Sequence, residues 1–240
     1  MPNNYFQFKK FTIHQENCAM KVCTDACLFG AYTASSIQHS ASGIQHILDI
    51  GTGTGLLSLM LAQKINSIID AVEIDEAAYQ QAKENFEASS WASRLHVFNT
   101  DILNYKADKK YDCIISNPPF FEDDLKSVDE GKNIAKHDNA LTLTQLLAVI
   151  NEHLATDGFF AVLLPFHRVD DFEKESSAHG YHLLQKVLIK HTVTHPYFRG
   201  ILIFSKKNVA TKTMELIIKD ESGVYTPSFV ELLQEYYLNL

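Results

Sequence analysis

The chain has 240 residues, 46% of them hydrophobic and 21% charged, with a formal net charge of −8 at pH 7. That length suits one large α/β domain with a substantial core, and no apolar run is long enough to cross a bilayer. The acidic balance excludes a surface that is basic all round, so contact with a polyanion needs its cations gathered on one face. Candidates for that face are Lys9, Lys10 and Lys21, then Lys136 with His137, then Arg199, Lys206 and Lys207.

The first residues, Met1-Pro2-Asn3-Asn4-Tyr5, lack the basic and apolar regions of a signal peptide. Cys18, Cys23, Cys27 and Cys113 show no CxxC spacing. Reduced thiols in a cytoplasmic protein, and no metal site, are the expectation.

In chain order, Phe6 and Phe8, then Phe11 and Ile13, alternate as a strand or bulged strand over 5–14. Thr24 or Asp25 reads as the cap of a helix that continues through Tyr32. The small, polar stretch 35–43 marks a boundary between an amino-terminal extension, 1–42, and a main domain, 43–240. A short strand at 47–50 then runs into Gly51-Thr52-Gly53-Thr54-Gly55, and 56–62 is apolar nearly all round, as in a buried helix. Strand, glycine loop and helix form the first unit of a doubly wound sheet, with its ligand at the strand's carboxyl end. A dinucleotide fingerprint requires glycine where Leu56 stands, and a P-loop requires lysine there. The loop, preceded by Asp49, therefore fits a nucleoside ligand without a pyrophosphate.

The strand at 68–74 ends in Glu73-Ile74-Asp75. An acid about 20 residues beyond the glycine loop is positioned for both ribose hydroxyls of an adenosine. An amphipathic helix, 76–89, and a third strand, 95–98, follow, and Asp101 beyond them is a candidate acceptor for the adenine amino group.

The fourth strand, 111–115, delivers Asn117-Pro118-Pro119-Phe120. Two consecutive prolines remove two donors and fix φ, so no ladder continues past Asn117. A residue before proline is held extended. The side-chain oxygen of Asn117 and the main-chain oxygen of Pro118 then converge beside the Phe120 ring, a setting that suits a planar group bearing an NH2. Beyond lie a polar loop at 121–141, a helix at 143–154 closed by Asp157-Gly158, and a fifth strand at 159–164. A surface helix at 168–178 precedes antiparallel strands at 182–194 and 200–205, and an edge strand is marked at 214–218. Thr226 as cap and Pro227 as first helical residue open the last helix. The expected fold is α/β, a doubly wound seven-stranded sheet, mostly parallel with its last strand antiparallel.

Asp49-Ile50-Gly51-Thr52-Gly53-Thr54-Gly55, Glu73, Asp101 and Asn117-Pro118-Pro119-Phe120 together resemble the class I methyltransferases that use S-adenosylmethionine and methylate exocyclic or amide nitrogen. More narrowly, Phe6-Gln7-Phe8-Lys9-Lys10-Phe11, the stretch 19–26, 47–57, Ser90-Trp91, 115–121, Ala135-Lys136-His137 and Tyr225-Thr226 resemble the bacterial valine-tRNA adenine N6-methyltransferases. The likeness runs essentially end to end. The family pattern has Gly where Cys23 and Ala26 stand, Tyr where Phe120 stands, and Arg where Lys136 stands.

That resemblance implies a Rossmann-like class I fold and S-adenosylmethionine as methyl donor, leaving S-adenosylhomocysteine. It implies cofactor contacts from Lys21, Thr24, Asp25, Asp49, Gly51, Gly53, Gly55, Glu73, Ile74, Asp101, Ile102 and Asn117. It further implies catalysis by Asn117, Pro118, Pro119 and Phe120, and tRNA contacts from Lys9, Lys10, Phe121, Lys136, His137 and Arg199. The enzyme is expected to be a cytoplasmic monomer acting on the adenine next to the anticodon. A protein-glutamine methyltransferase, a guanine-N2 ribosomal RNA methyltransferase and an inactive RNA- or nucleoside-binding module are the alternative readings.

Overall fold

The computed structural model describes residues 3–18, 20–38, 43–118 and 141–240. Pro119, Phe120, Phe121, Lys136 and His137 lie outside them. The elements run β1 (Tyr5–Gln7), β2 (Thr12–His14), α1 (Thr24–Gln38), β3 (His46–Ile50), α2 (Leu56–Lys64), β4 (Ile68–Glu73), α3 (Glu76–Glu87), β5 (Leu95–Asn99) and β6 (Tyr111–Ser116). After these come α4 (Leu143–His153), β7 (Leu154–Pro165), α5 (Val169–Ala178), β8 (His182–Lys190), β9 (Tyr197–Ser205), β10 (Lys212–Ile217) and α6 (Pro227–Leu233).

Alternation within the strands decides the layering. In β3, Ile47 joins one apolar cluster while Leu48 and Ile50 join another; in β6, Cys113 and Ile115 divide from Ile114 in the same way. Successive strand side chains point to opposite faces, and a sheet apolar on both faces needs cover on both. Residues of α1, α2, α3 and α6 complete one cluster, and residues of α4 and α5 the other. Phe8, Phe11 and Ile13, from the start of the chain, belong to the first cluster and so share the core of the sheet.

The main sheet has eight strands in the order β10-β8-β9-β7-β6-β3-β4-β5. β9 is antiparallel to both its neighbours, β7 and β8, and the other pairs are parallel. β10, the edge strand marked in the sequence, joins the same sheet beside β8 and extends it by one strand beyond the expected seven. From β3 the chain moves outward through β4 and β5, then returns to the other side of β3 with β6. Ligands of doubly wound sheets gather at such a reversal.

Four local expectations change, one being that β8 stops at Lys190 and β9 starts at Tyr197, against the expected 182–194 and 200–205. The alternating stretch 5–14 is a hairpin, because Phe8 N donates to Phe11 O at 2.8 Å and turns the chain at Lys9-Lys10. α1 is already helical at Thr24, so the capping position falls to Cys23, whose carbonyl accepts from Cys27 N. β7 starts directly after α4, with 155–158 as a bulge rather than a connection, since Tyr111 pairs with Leu154 and Cys113 with Phe159. A Cβ at Gly158 would stand 3.0 Å from the Asp112 carbonyl, so glycine permits that close approach.

Candidate active site

β3 and β6 end side by side. Ile50 pairs with Ser116, and Ser116 Oγ donates to Ile50 O at 3.0 Å. Asn117, half-buried, therefore follows β6 next to Gly51, which follows β3, and Pro118 is buried behind it.

The glycine loop is held in left-handed backbone at all three glycines, with φ of 70°, 57° and 82° at Gly51, Gly53 and Gly55. Only glycine adopts this without steric cost. Gly51 N and Thr52 N donate to Val72 O at 2.9 and 3.2 Å. At Gly55 packing adds to conformation, because a Cβ there would lie 2.4 Å from the Phe86 ring.

Two carboxylates flank this loop. Glu73 is buried, and its oxygens accept from Gly53 N at 2.8 Å and Asp75 N at 2.9 Å. Main-chain donors thus fix its orientation while each oxygen keeps a free lone pair. Asp49 has no exposed surface; its Oδ2 accepts from Thr52 Oγ1 at 2.6 Å and Ser58 Oγ at 2.7 Å. Its Oδ1 has no hydrogen-bond partner among the described residues. Burial pushes the Asp49 carboxyl up to about 6, against the opposing pull of the two hydroxyls. A buried carboxylate oxygen without a donor favours a cationic guest. Farther along the edge, Asp101 Oδ1 accepts from Leu103 N at 2.9 Å, Ile74 is 52% exposed and Ile102 is buried.

The amino-terminal segment is fastened to the loop through one side chain. Asn85 of α3 exchanges hydrogen bonds with the main chain of His14 and donates to Thr54 O, all at 2.9 Å. Lys21 Nζ donates to the Gln15 carbonyl, and Gln15 Oε1 accepts from Val22 N. Thr24 and Asp25 open α1, and Asp25 accepts from Arg199 Nε at 2.8 Å. Arg199 pairs with Pro165 at the carboxyl end of β7, so it shares Asn117's edge of the sheet, two strands away. Lys9 instead donates to Gln234 O, and the adjacent Glu235 pairs with Lys64 at the end of α2 remote from the glycine loop. Lys10, beside it, is exposed.

One edge thus collects Asp49, Gly51, Gly53, Gly55, Glu73, Ile74, Asp101, Asn117 and Pro118; Arg199 joins it inside an ion pair, and Lys9 and Lys10 stand apart. Sequence reasoning passed over Thr52, Ser58, Asn85 and Gln15. Ser58 carries a signal, a hydroxyl within an otherwise apolar helix. The Arg199–Asp25 pair spans 174 positions and carries none. Cys23 and Cys27 are inert packing thiols, each pushed up to about 12 by burial. Among the described residues no group of three metal-ligating side chains forms, and no helix is long and apolar enough to cross a membrane.

This sheet, with its reversal beside a glycine loop, is the class I methyltransferase fold. A predicted O-methyltransferase from Agrobacterium tumefaciens covers 90% of this chain and 100% of its own, with TM-score 0.66 and 16% identity. An S-adenosylmethionine-dependent methyltransferase from Thiobacillus denitrificans, in complex with S-adenosylhomocysteine, covers 67% of this chain and 66% of its own, with TM-score 0.51 and 16% identity. The chain belongs to the methyltransferase small domain family, which matches residues 33–177. Within it, the similarity narrows to enzymes named tRNA1(Val) (adenine(37)-N6)-methyltransferase. That of Dyadobacter fermentans is 41% identical over 99% of both chains, and that of Trichodesmium erythraeum 40% over 99% of both.

Proposed function

We propose that this protein transfers a methyl group from S-adenosylmethionine to the exocyclic N6 of adenine in tRNA, at the adenine next to the anticodon of a valine tRNA. The observation that carries the reading is the Asn117-Pro118 stop held against the glycine loop by the Ile50–Ser116 pairing. Full-length similarity to the tRNA enzymes favours this substrate over a glutamine amide or a guanine.

The residues fit the methyl donor, which when bound supplies a methyl group on a cationic sulfonium. The unpartnered Asp49 oxygen and the oriented Glu73 carboxylate answer positive charge and ribose hydroxyls, and exposed Ile74 offers the adenine an apolar face. Gly51, Gly53 and Gly55 let the main chain approach closely.

Adenine N6 is a poor nucleophile because its lone pair is delocalised into the ring. The Asn117 side-chain oxygen and the Pro118 carbonyl accept its two hydrogens and favour a pyramidal nitrogen. Both contacts strengthen as positive charge develops there, so they stabilise the transition state more than the ground state. No strong general base is required before transfer, because the methylated nitrogen is strongly acidic and releases one of its two protons to water afterwards. Phe120 stacks on the extruded base in this scheme. The enzyme acts as a cytoplasmic monomer.

Incubation of RNA lacking the modification with labelled cofactor, followed by nucleoside analysis, tests the reading. Label in N6-methyladenosine of a valine tRNA is expected. Label in N2-methylguanosine, or only in protein glutamine, overturns it.

A further inference from the structure

The tip between β8 and β9 stands at the same carboxyl edge as Asn117, since β7 runs parallel to β6, β9 starts beside the carboxyl end of β7, and β8 ends beside the start of β9. Ile189 pairs with Arg199 and Lys190 with Tyr197, so Phe198 is the extra residue of a bulge. Bulges near active sites re-aim a side chain. Here the Phe198 ring packs on the core and takes the His191 imidazole flat against it, with centroids 4.0 Å apart and planes 8° from parallel. The Arg199 guanidinium carbon lies 5.7 Å from the same ring, and Asp25 fixes that guanidinium. The pile of Arg199, Phe198 and His191 is thus rigid at its base. Although Phe198 covers one side of it, His191 remains exposed, and His195 stands edge-on at 6.1 Å.

We propose that the exposed face of His191 is a stacking platform for an unpaired nucleotide flanking the target adenine, with Phe198 and Arg199 as its support. This rests on the RNA reading of the site. Single-stranded loops are recognised by stacking of splayed bases on aromatic planes, and an imidazole already parallel to a partly buried ring extends such a stack. Position agrees with the role. β8 is three strand spacings from β6, roughly 14 Å, so a base on His191 belongs to a neighbour of the flipped nucleotide rather than to the target itself. In this arrangement the plane of the ring, rather than its nitrogens, is presented along the stack.

The test compares His191→Ala and His191→Phe with the wild type on purified valine tRNA lacking the modification. Expected for His191→Ala is a tRNA affinity weaker by about 5- to 150-fold, the range that stacking one base contributes. That loss should appear in KM, with kcat and calorimetric cofactor affinity unchanged. His191→Phe, which keeps a flat ring and removes the ring nitrogens, should restore KM. Wild-type KM in His191→Ala overturns the platform while leaving the methyltransferase reading intact. Equal loss in both variants overturns stacking in favour of a hydrogen bond from a ring nitrogen. A wild-type enzyme that methylates no tRNA removes the parent reading and this one together.

Discussion

On the β3–β4–β5 side of the catalytic edge, the polar groups are acids tied to main chain or buried hydroxyls. Glu73 accepts from Gly53 N and Asp75 N, and Asp49 from Thr52 and Ser58. On the β7–β9–β8 side they are rings and one ion-paired guanidinium, half-buried or exposed: Tyr197, Phe198 and His191, with Arg199 held by Asp25. The difference follows from what each side meets. Under the proposed function, fixed dipoles that need no reorganisation suit a small cationic nucleoside, and exposed rings suit the unpaired bases of an RNA. Asn117 stands at the seam between them, after β6 and beside the end of β3.

The strongest disruption of the acidic side is Gly55→Ala. It forces a left-handed backbone on alanine and drives a Cβ within 2.4 Å of the Phe86 ring. Strain of about 1–2 kcal/mol from the backbone and about 1–3 kcal/mol from overpacking should appear as lost stability in chemical denaturation. Gly53→Ala meets no atom within 4 Å and should lose only the backbone part. Equal losses in the two variants would show that packing against Phe86 adds nothing.

At the seam, Asn117→Ala should raise the barrier by roughly 2.7–4 kcal/mol, about 10²–10³ in kcat, by analogy with other preorganised hydrogen-bond groups. Cofactor affinity should stay close to wild type. Asn117→Asp keeps an acceptor oxygen and should retain partial activity in single-turnover assays. Near wild-type turnover in Asn117→Ala would separate the amino-group site from this residue.

Glu73→Ala sharpens the contrast, because its effect should be confined to one side. Loss of a charged acceptor costs roughly 1.5–3 kcal/mol in cofactor binding, while tRNA affinity without cofactor should not change. Calorimetry and filter binding on the same preparation decide it; a parallel loss of tRNA affinity would erase the division.

The smallest effect is a pH dependence. The Asp49 carboxyl titrates near 6 in the fold, against 3.8 ordinarily. Between about pH 4 and 6 the folded chain retains a proton that the unfolded chain has released, so this group's contribution to stability declines as pH rises through that window and is level above it. A cationic guest prefers the ionised form, so cofactor affinity should fall about fourfold from pH 7 to pH 5.5. Asp49→Asn should flatten that dependence. An unchanged slope in the variant would assign it to another group.

Much of the edge was legible because its signals are local. Left-handed glycines, carboxylates at strand ends and a double proline each constrain the backbone within a few residues. The same holds for Thr226, whose Oγ1 accepts from Phe229 N at 3.3 Å with Pro227 next in line. Where the expectation failed, the deciding contact was lateral: pairing of Tyr5–Gln7 with Thr12–His14 folded an apparent strand into a hairpin, and pairing with β6 drew 155–158 into β7.

By itself the sequence determined which residues end each strand and what chemistry they offer. Tertiary structure alone decided which ends become neighbours. Buried parallel strands read alike wherever they lie in a sheet, so nothing in 47–50 or 111–116 states that β3 and β6 adjoin. The reversal of strand order brings Gly51 to Asn117, joins Asn85 to His14 across 71 positions and Arg199 to Asp25 across 174, and sets the Phe198 bulge over the catalytic edge. Those pairings depend on the order in which strands add to a common core, and local preference along the chain does not encode that order.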